Sequence, residues 1–468
     1  MRRLSALAIA SVLLLAACGG DGDGESSAPP PTTAGASTGA PPPTTAGAST
    51  GAPAPTTAEP RGTEPTGSEP MVTAPDSERV DLEPPTFSDP TSITNPLFPI
   101  TEQAQVVQLG VDEGEALRVE VTLLPDTKTI SWDGQQIETV VSQFVGYLDE
   151  QIAEVALDFF AQADDGSVWY FGEDVFNYED GEIADTEGTW LAGKDGPPGM
   201  IMPAAPQVGD VYRPENIPGY VFEQVTVQSV DETVDGPQGP ISGALVVQEL
   251  LMDGSTEDKA YAPGYGEFSA KTVDEDVSVA FGVPIDAVDG PPPAELDALS
   301  VGADDVFAAA GEARWGAAAR ALEDIRSGWD DLARTGVPER LATQTADAID
   351  GLADAVATRE AAEAQGASVL VTRAALDLRA RHEPLDRIDL ARIAAWARLI
   401  EVDAEADEPP GVRSATVVIE AIWARVAHQV DAPDTVAAAI TELRSAADDG
   451  DLPAAADAAT ALADAVTS

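Results

Sequence analysis

Cysteine occurs once in the 468 residues, at Cys18, and histidine twice, at His382 and His428. A single thiol excludes an intrachain disulfide and a cysteine-ligated zinc, so the fold must rest on core burial. Scarce histidine argues against Ser-His-Asp catalysis, which needs an imidazole beside its nucleophile, and the folded regions hold no Gly-x-Ser-x-Gly elbow. Lysine is confined to Lys128, Lys194, Lys259 and Lys271. Basic residues number 25 against 82 acidic ones, a net charge of −57. Such a surface repels polyanions, so no nucleic-acid partner is expected. No apolar run reaches the roughly 20 residues that a membrane-spanning helix requires. The acidic residues are spread over both halves. They read as the habit of a high-GC, salt-tolerant organism, the alternative being a cation-binding surface.

The amino terminus carries a processing signal. Met1-Arg2-Arg3 is a basic start, Leu4 to Ala17 a short apolar run, and Leu15-Ala16-Ala17 precedes the lone Cys18. Residues 1–17 read as a cleaved export signal. Leu15-Ala16-Ala17-Cys18 resembles the lipobox of bacterial lipoproteins. That resemblance implies lipid attachment at Cys18, with palmitate-type acyl chains, and a place on the outer face of the cell membrane. Residues 18–86 then form a disordered Pro/Thr/Ala/Gly linker, in which the twelve residues 28–39 recur unchanged at 40–51. Too few apolar side chains are present to offset the entropy of ordering. As a flexible coil the linker would average roughly 45 Å end to end.

From 87 to 290 the apolar period is two. Leu117, Val119, Val121 and Leu123 alternate with polar residues, as do Val221, Glu223, Val225 and Val227, then Leu245, Val247, Glu249 and Leu251. Asp133-Gly134, Asp180-Gly181 and Asp253-Gly254 supply hairpin turns between such runs. The region is expected to be an all-β antiparallel meander of ten to thirteen strands, closed as a sandwich, half-barrel or barrel. From 294 to 468 the period is helical, as in Leu322, Ile325, Trp329 and Leu332. Six or seven helices are expected, forming an all-α helical bundle. Pro291-Pro292-Pro293 marks the boundary, so the chain reads as multidomain.

Within the β region, Asn95-Pro96-Leu97-Phe98-Pro99, Asp165 to Asp174, Met200 to Ala204 and Tyr261 to Gly266 resemble a family of secreted lipoproteins from high-GC bacteria. The resemblance implies a β-rich fold and an envelope location. It brings no activity, so no catalytic residue is assigned.

Other chemistry is weakly signalled. His382 and His428 lie 46 positions apart, so a shared site with Glu383 or Glu420 would need the tertiary fold. Glu173 and Asp174 are the first carboxylates to consider for a hydrolase. Asp21-Gly22-Asp23-Gly24-Glu25 lacks the frame of a calcium loop. With no phosphate loop either, no cofactor and no metal site is expected. Trp169, Tyr170 and Phe171 put rings on both faces of one strand, so one face needs cover from protein or ligand. They are the candidate ligand-binding residues. The expected function is therefore a non-enzymatic, lipid-anchored envelope protein whose β domain binds an apolar ligand or an envelope protein partner. A cell-wall-facing carboxylate hydrolase and a structural spacer are the alternatives.

Overall fold

The computed structural model describes residues 73–430 and 433–467. The export signal, Cys18, the repeats and Asp21 to Glu25 lie outside the described residues. All the described residues belong to one compact unit.

Five long strands come first: β1 (Gln105–Asp112), β2 (Glu115–Trp132), β3 (Gln135–Leu148), β4 (Gln151–Gln162) and β5 (Val168–Glu179). Short ones follow: β6 (Glu182–Asp185), β7 (Trp190–Leu191), β8 (Gly199–Met202), β9 (Val211–Tyr212) and β10 (Asn216–Ile217). β11 (Val221–Gly236), β12 (Gly239–Leu251), β13 (Thr256–Ala262), β14 (Gly266–Lys271) and β15 (Glu275–Val283) complete the set. The extra members over the expected number are two-residue ladders, too short to show alternation. All pairings between these strands are antiparallel, in the order β10-β11-β12-β13-β14-β15-β1-β2-β3-β4-β5-β6. At the β2–β3 turn, Asp133 and Gly134 have φ of 47° and 74°, the left-handed pair that a tight hairpin needs.

The sheet curls until its ends meet. β8 hangs on β5, β9 hangs on β11, and β8 and β9 touch. A Cβ at Gly199 would lie 1.8 Å from the Pro214 carbonyl oxygen, so only glycine permits that approach. One apolar cluster accordingly joins Val140, Phe160 and Tyr170 to Val225, Val247 and Tyr261 from the other end of the sheet. The result is a barrel-like sheet. Residues 73–86, read as the end of the linker, lie on it: Val80 N donates to Val211 O, and Arg213 N to Asp81.

Eight helices follow: α1 (Ala294–Gly311), α2 (Trp315–Leu332), α3 (Glu339–Thr358), α4 (Ala361–Arg379), α5 (Leu385–Glu405), α6 (Pro409–Val426), α7 (Pro433–Asp448) and α8 (Leu452–Thr467). They bear the expected stripes, with Leu322, Ile325 and Leu332 buried on α2. The Pro291–Pro293 step separates β15 from α1, but the halves share cores. Val107, Leu109 and Phe281 pack with Leu296, Leu299 and Leu376. Val145, Tyr147 and Ile152 pack with Ile393, Trp396 and Val418.

Between sheet and helices lies a closed ionic network. Arg118 pairs with Glu120 and Asp377, Arg392 with Asp377 and Asp389, and Arg425 with Glu120 and Asp389, all at 2.7–2.9 Å. Three guanidiniums meet three carboxylates, so the buried charge sums to zero.

Candidate ligand cleft

The aromatic stripe is closed by protein on both faces. Trp169, Tyr170 and Phe171 are 4%, 0% and 0% exposed. Tyr170 points inward, stacking on Phe160 and donating its hydroxyl to Asp158 at 2.9 Å. Phe171 points outward and meets Phe87 and Trp132 edge-on, at 5.5 and 6.1 Å between centroids. The N-terminal segment that carries Phe87 supplies the cover that alternation alone left open, and no groove opens along the stripe. Replacing Trp169 or Phe171 by Ala is expected to cost about 3–5 kcal/mol in urea denaturation, as for any core ring. A loss below about 1 kcal/mol would place that ring at the surface.

The barrel interior is acidic. Glu154, Asp158, Glu173, Glu215, Glu223, Glu249, Glu257 and Glu275 are each at most 4% exposed. Lys259, 2% exposed, is the cation among them, with its Nζ 2.7 Å from Glu249, 3.5 Å from Glu257 and 3.7 Å from Glu267. Burial pulls the lysine down, but these carboxylates outweigh it and keep the ammonium charged. Burial is the first cause that raises Glu154, Asp158, Glu173, Glu215, Glu223, Glu257 and Glu275, and like-charged neighbours add to it in all of these but Asp158. Glu154 is pushed up to about 8, chiefly by burial and then by Asp158. Glu173 lies beside Glu215, and burial together with that neighbour holds Glu173 well above the usual carboxylate range. Glu215 also accepts Trp190 Nε1 at 2.6 Å. Asp174, next in sequence, points the other way and pairs with Lys128 at 2.9 Å. A facing carboxylate pair therefore exists, but Glu173 and Glu215 are both 0% exposed.

The open concavity lies elsewhere, between the sheet and the helices. Its volume is about 720 Å³, within the usual range for a small-molecule site. Five segments distant in sequence build it. Leu123, Leu124 and Pro125 come from β2, where register breaks between Leu123 and Thr127. Proline cannot donate to a ladder, so the strand splays there. Gln103 and Ala104 precede β1, and Val283, Pro284, Ala287 and Val288 come from the end of β15 and the turn after it. The α4–α5 connection and the start of α5 contribute Ala380 to Asp386, and the end of α6 with the turn after it contributes Arg425, Val426, His428 and Gln429. The walls are mostly apolar.

Both histidines stand on this cleft, together with Glu383. Glu420 does not, being paired with Arg444 on the helical side. Burial and then the neighbouring Arg381 lower the His382 pKa, which favours the neutral ring. Its Nδ1 is buried without a hydrogen-bond partner. Glu383 accepts from Arg379 at 2.8 Å. Asp389 and Arg425 form the floor as members of the closed network. Among the described residues no group of three or more histidine, cysteine or acidic side chains is placed to hold a metal ion. No described helix is long and apolar enough to cross a membrane.

No family model, curated protein or solved structure matches this chain.

Proposed function

We propose that this chain is an exported lipoprotein, anchored through Cys18 to the outer face of the cell membrane, that carries a small ligand with an apolar body and performs no chemistry on it. The observation that carries this reading is the cleft of about 720 Å³ between sheet and helices, apolar on its walls and polar at a few convergent points. The ligand seat is thus moved from the aromatic stripe to the cleft. The carboxylate-hydrolase reading has its facing pair sealed inside the barrel, where no substrate reaches.

Two measurements test it. An environment-sensitive apolar dye should bind the full chain saturably with one site. Ala287→Trp, which puts a ring into the cleft from an exposed wall position, should abolish that binding with the melting temperature unchanged. Absence of saturable binding, or equal binding by the variant, overturns the ligand reading. Separately, native protein should partition with membranes and Cys18→Ser should not, since two acyl signals suffice for stable anchoring. Equal partitioning of the two would overturn the anchor.

A further inference from the structure

Arg381 differs from every other arginine buried in this protein. Arg118, Arg392 and Arg425 are each nearly inaccessible, and each holds two carboxylates. Arg381 is 9% exposed, and among the described residues no carboxylate lies within ion-pair distance of it. Its one hydrogen bond runs from Nε to the Asp286 carbonyl oxygen at 3.2 Å. A guanidinium has five N–H donors in a fixed fork, so the remaining ones have no protein acceptor among the described residues.

The nearest acid is already committed. The Asp286 carboxylate accepts Tyr265 Oη at 2.8 Å, Gln238 Nε2 at 3.0 Å and Gly282 N at 2.7 Å. Glu383 is taken by Arg379, and Asp389 by Arg392 and Arg425. Asp386 lines the cleft but lies beyond ion-pair distance of Arg381. A chain with 82 acidic residues has thus placed a largely buried cation on its cleft with no ion pair among the described residues, Asp286 acting on it only at longer range. A guanidinium fork with free donors matches a carboxylate or phosphate edge.

We infer that the ligand of this cleft is an acidic amphiphile, whose anionic headgroup is held by the Arg381 guanidinium while its apolar body lies against Leu124, Val283, Val288 and Leu385. The inference rests on the cleft being a ligand seat. It adds the chemical class of the ligand. The field at His382 agrees with it: after burial, Arg381 is the largest influence on that ring, ahead of Glu383. That lowering favours the neutral imidazole, which can donate or accept beside the headgroup.

The test compares three probes with one alkyl chain, dodecanoate, dodecyl phosphate and 1-dodecanol, each below its micelle concentration, by displacement of the apolar dye from the full chain. One or both anions should bind at least about tenfold more tightly than the alcohol, the factor a charge-assisted contact typically brings. The ratio between the two anions identifies the headgroup as carboxylate or phosphate. Arg381→Gln should remove the preference while leaving dodecanol affinity within about twofold. Arg381→Lys, which keeps the charge without the fork, should restore part of it and guards against a folding defect in the first variant. If alcohol and anions bind alike, or if Arg381→Gln keeps the preference, the headgroup inference is wrong and the cleft remains a ligand seat. If none of the three displaces dye, the proposed function fails with it.

Discussion

Raising the pH from about 5 to 9 is expected to destabilise this protein steeply, more than any single substitution considered. The cause is the acid-lined barrel. Burial, with like-charged neighbours adding to it, pushes Glu267 up to about 7, Glu154 and Glu275 up to about 8 and Glu257 up to about 9. Asp158, Glu173, Glu215 and Glu223 move in the same direction, with burial the first cause in each. In the unfolded chain these groups return to about 4. Between the two values the folded state holds protons that the unfolded state has released, so stability falls as pH rises. The contribution is complete below about pH 4, where both states are protonated, and it is lost as pH climbs through the folded values of 7 to 9. Each such proton contributes a slope of about 1.4 kcal/mol per pH unit. Glu120 and Asp377, held below the usual range by Arg425 and Arg118 against the cost of burial, act oppositely and weaken the fold only in stronger acid. Urea denaturation at intervals from pH 5 to 9 measures the slope. Several protons' worth is expected, and Glu257→Gln or Glu275→Gln should each reduce it by about one. A flat profile would mean that the interior acids are ionised and solvated.

The second large effect is expected at the junction of sheet and helices. Arg425→Ala strips one partner each from Glu120 and Asp389, both at most 4% exposed. Removing one member of a buried ionic group costs about 3–5 kcal/mol, because the charge left behind has no water to turn to. Since Glu120 sits on β2 and Asp389 on α5, the loss should register in both halves together. Helical circular dichroism and hydrogen exchange of the sheet amides are expected to report one coincident transition, shifted equally. The double variant Glu120→Gln/Arg425→Met should lose less than the two single changes add up to, since it deletes both charges of a pair. Separate transitions for sheet and helices, or a loss under about 1 kcal/mol, would show that the network does not couple them.

Parts of the site were visible in the chain and parts were not. Glu223 and Glu249 occupy the inward phase of otherwise apolar strands, Val221 to Val227 and Leu245 to Leu251. A charge in an apolar phase signals an unusual interior, but alternation cannot say that Glu249 meets Lys259 across β12 and β13. Alternation says that one face of Trp169, Tyr170 and Phe171 needs cover but not which face or by what. The cover came from Phe87, more than eighty positions upstream, which no local pattern announces. Arg381 left no signal at all. It is one arginine among several near the end of α4, and only the lack of an ion pair among the described residues sets it apart.

The switch from period two to period 3.6 near Pro291, the Asp-Gly turns and the apolar stripes come from local backbone sterics and from which face must avoid water. They are therefore written residue by residue, and the all-β then all-α order follows from them. The meeting of sheet and helices, the closure of the barrel at Gly199, the pooled interior acids and the cleft that gathers Leu124, Val288, Arg381 and His428 depend on contacts between segments far apart in sequence. Those contacts are chosen by packing and by charge neutralisation over the whole chain, and neither leaves a short-range mark.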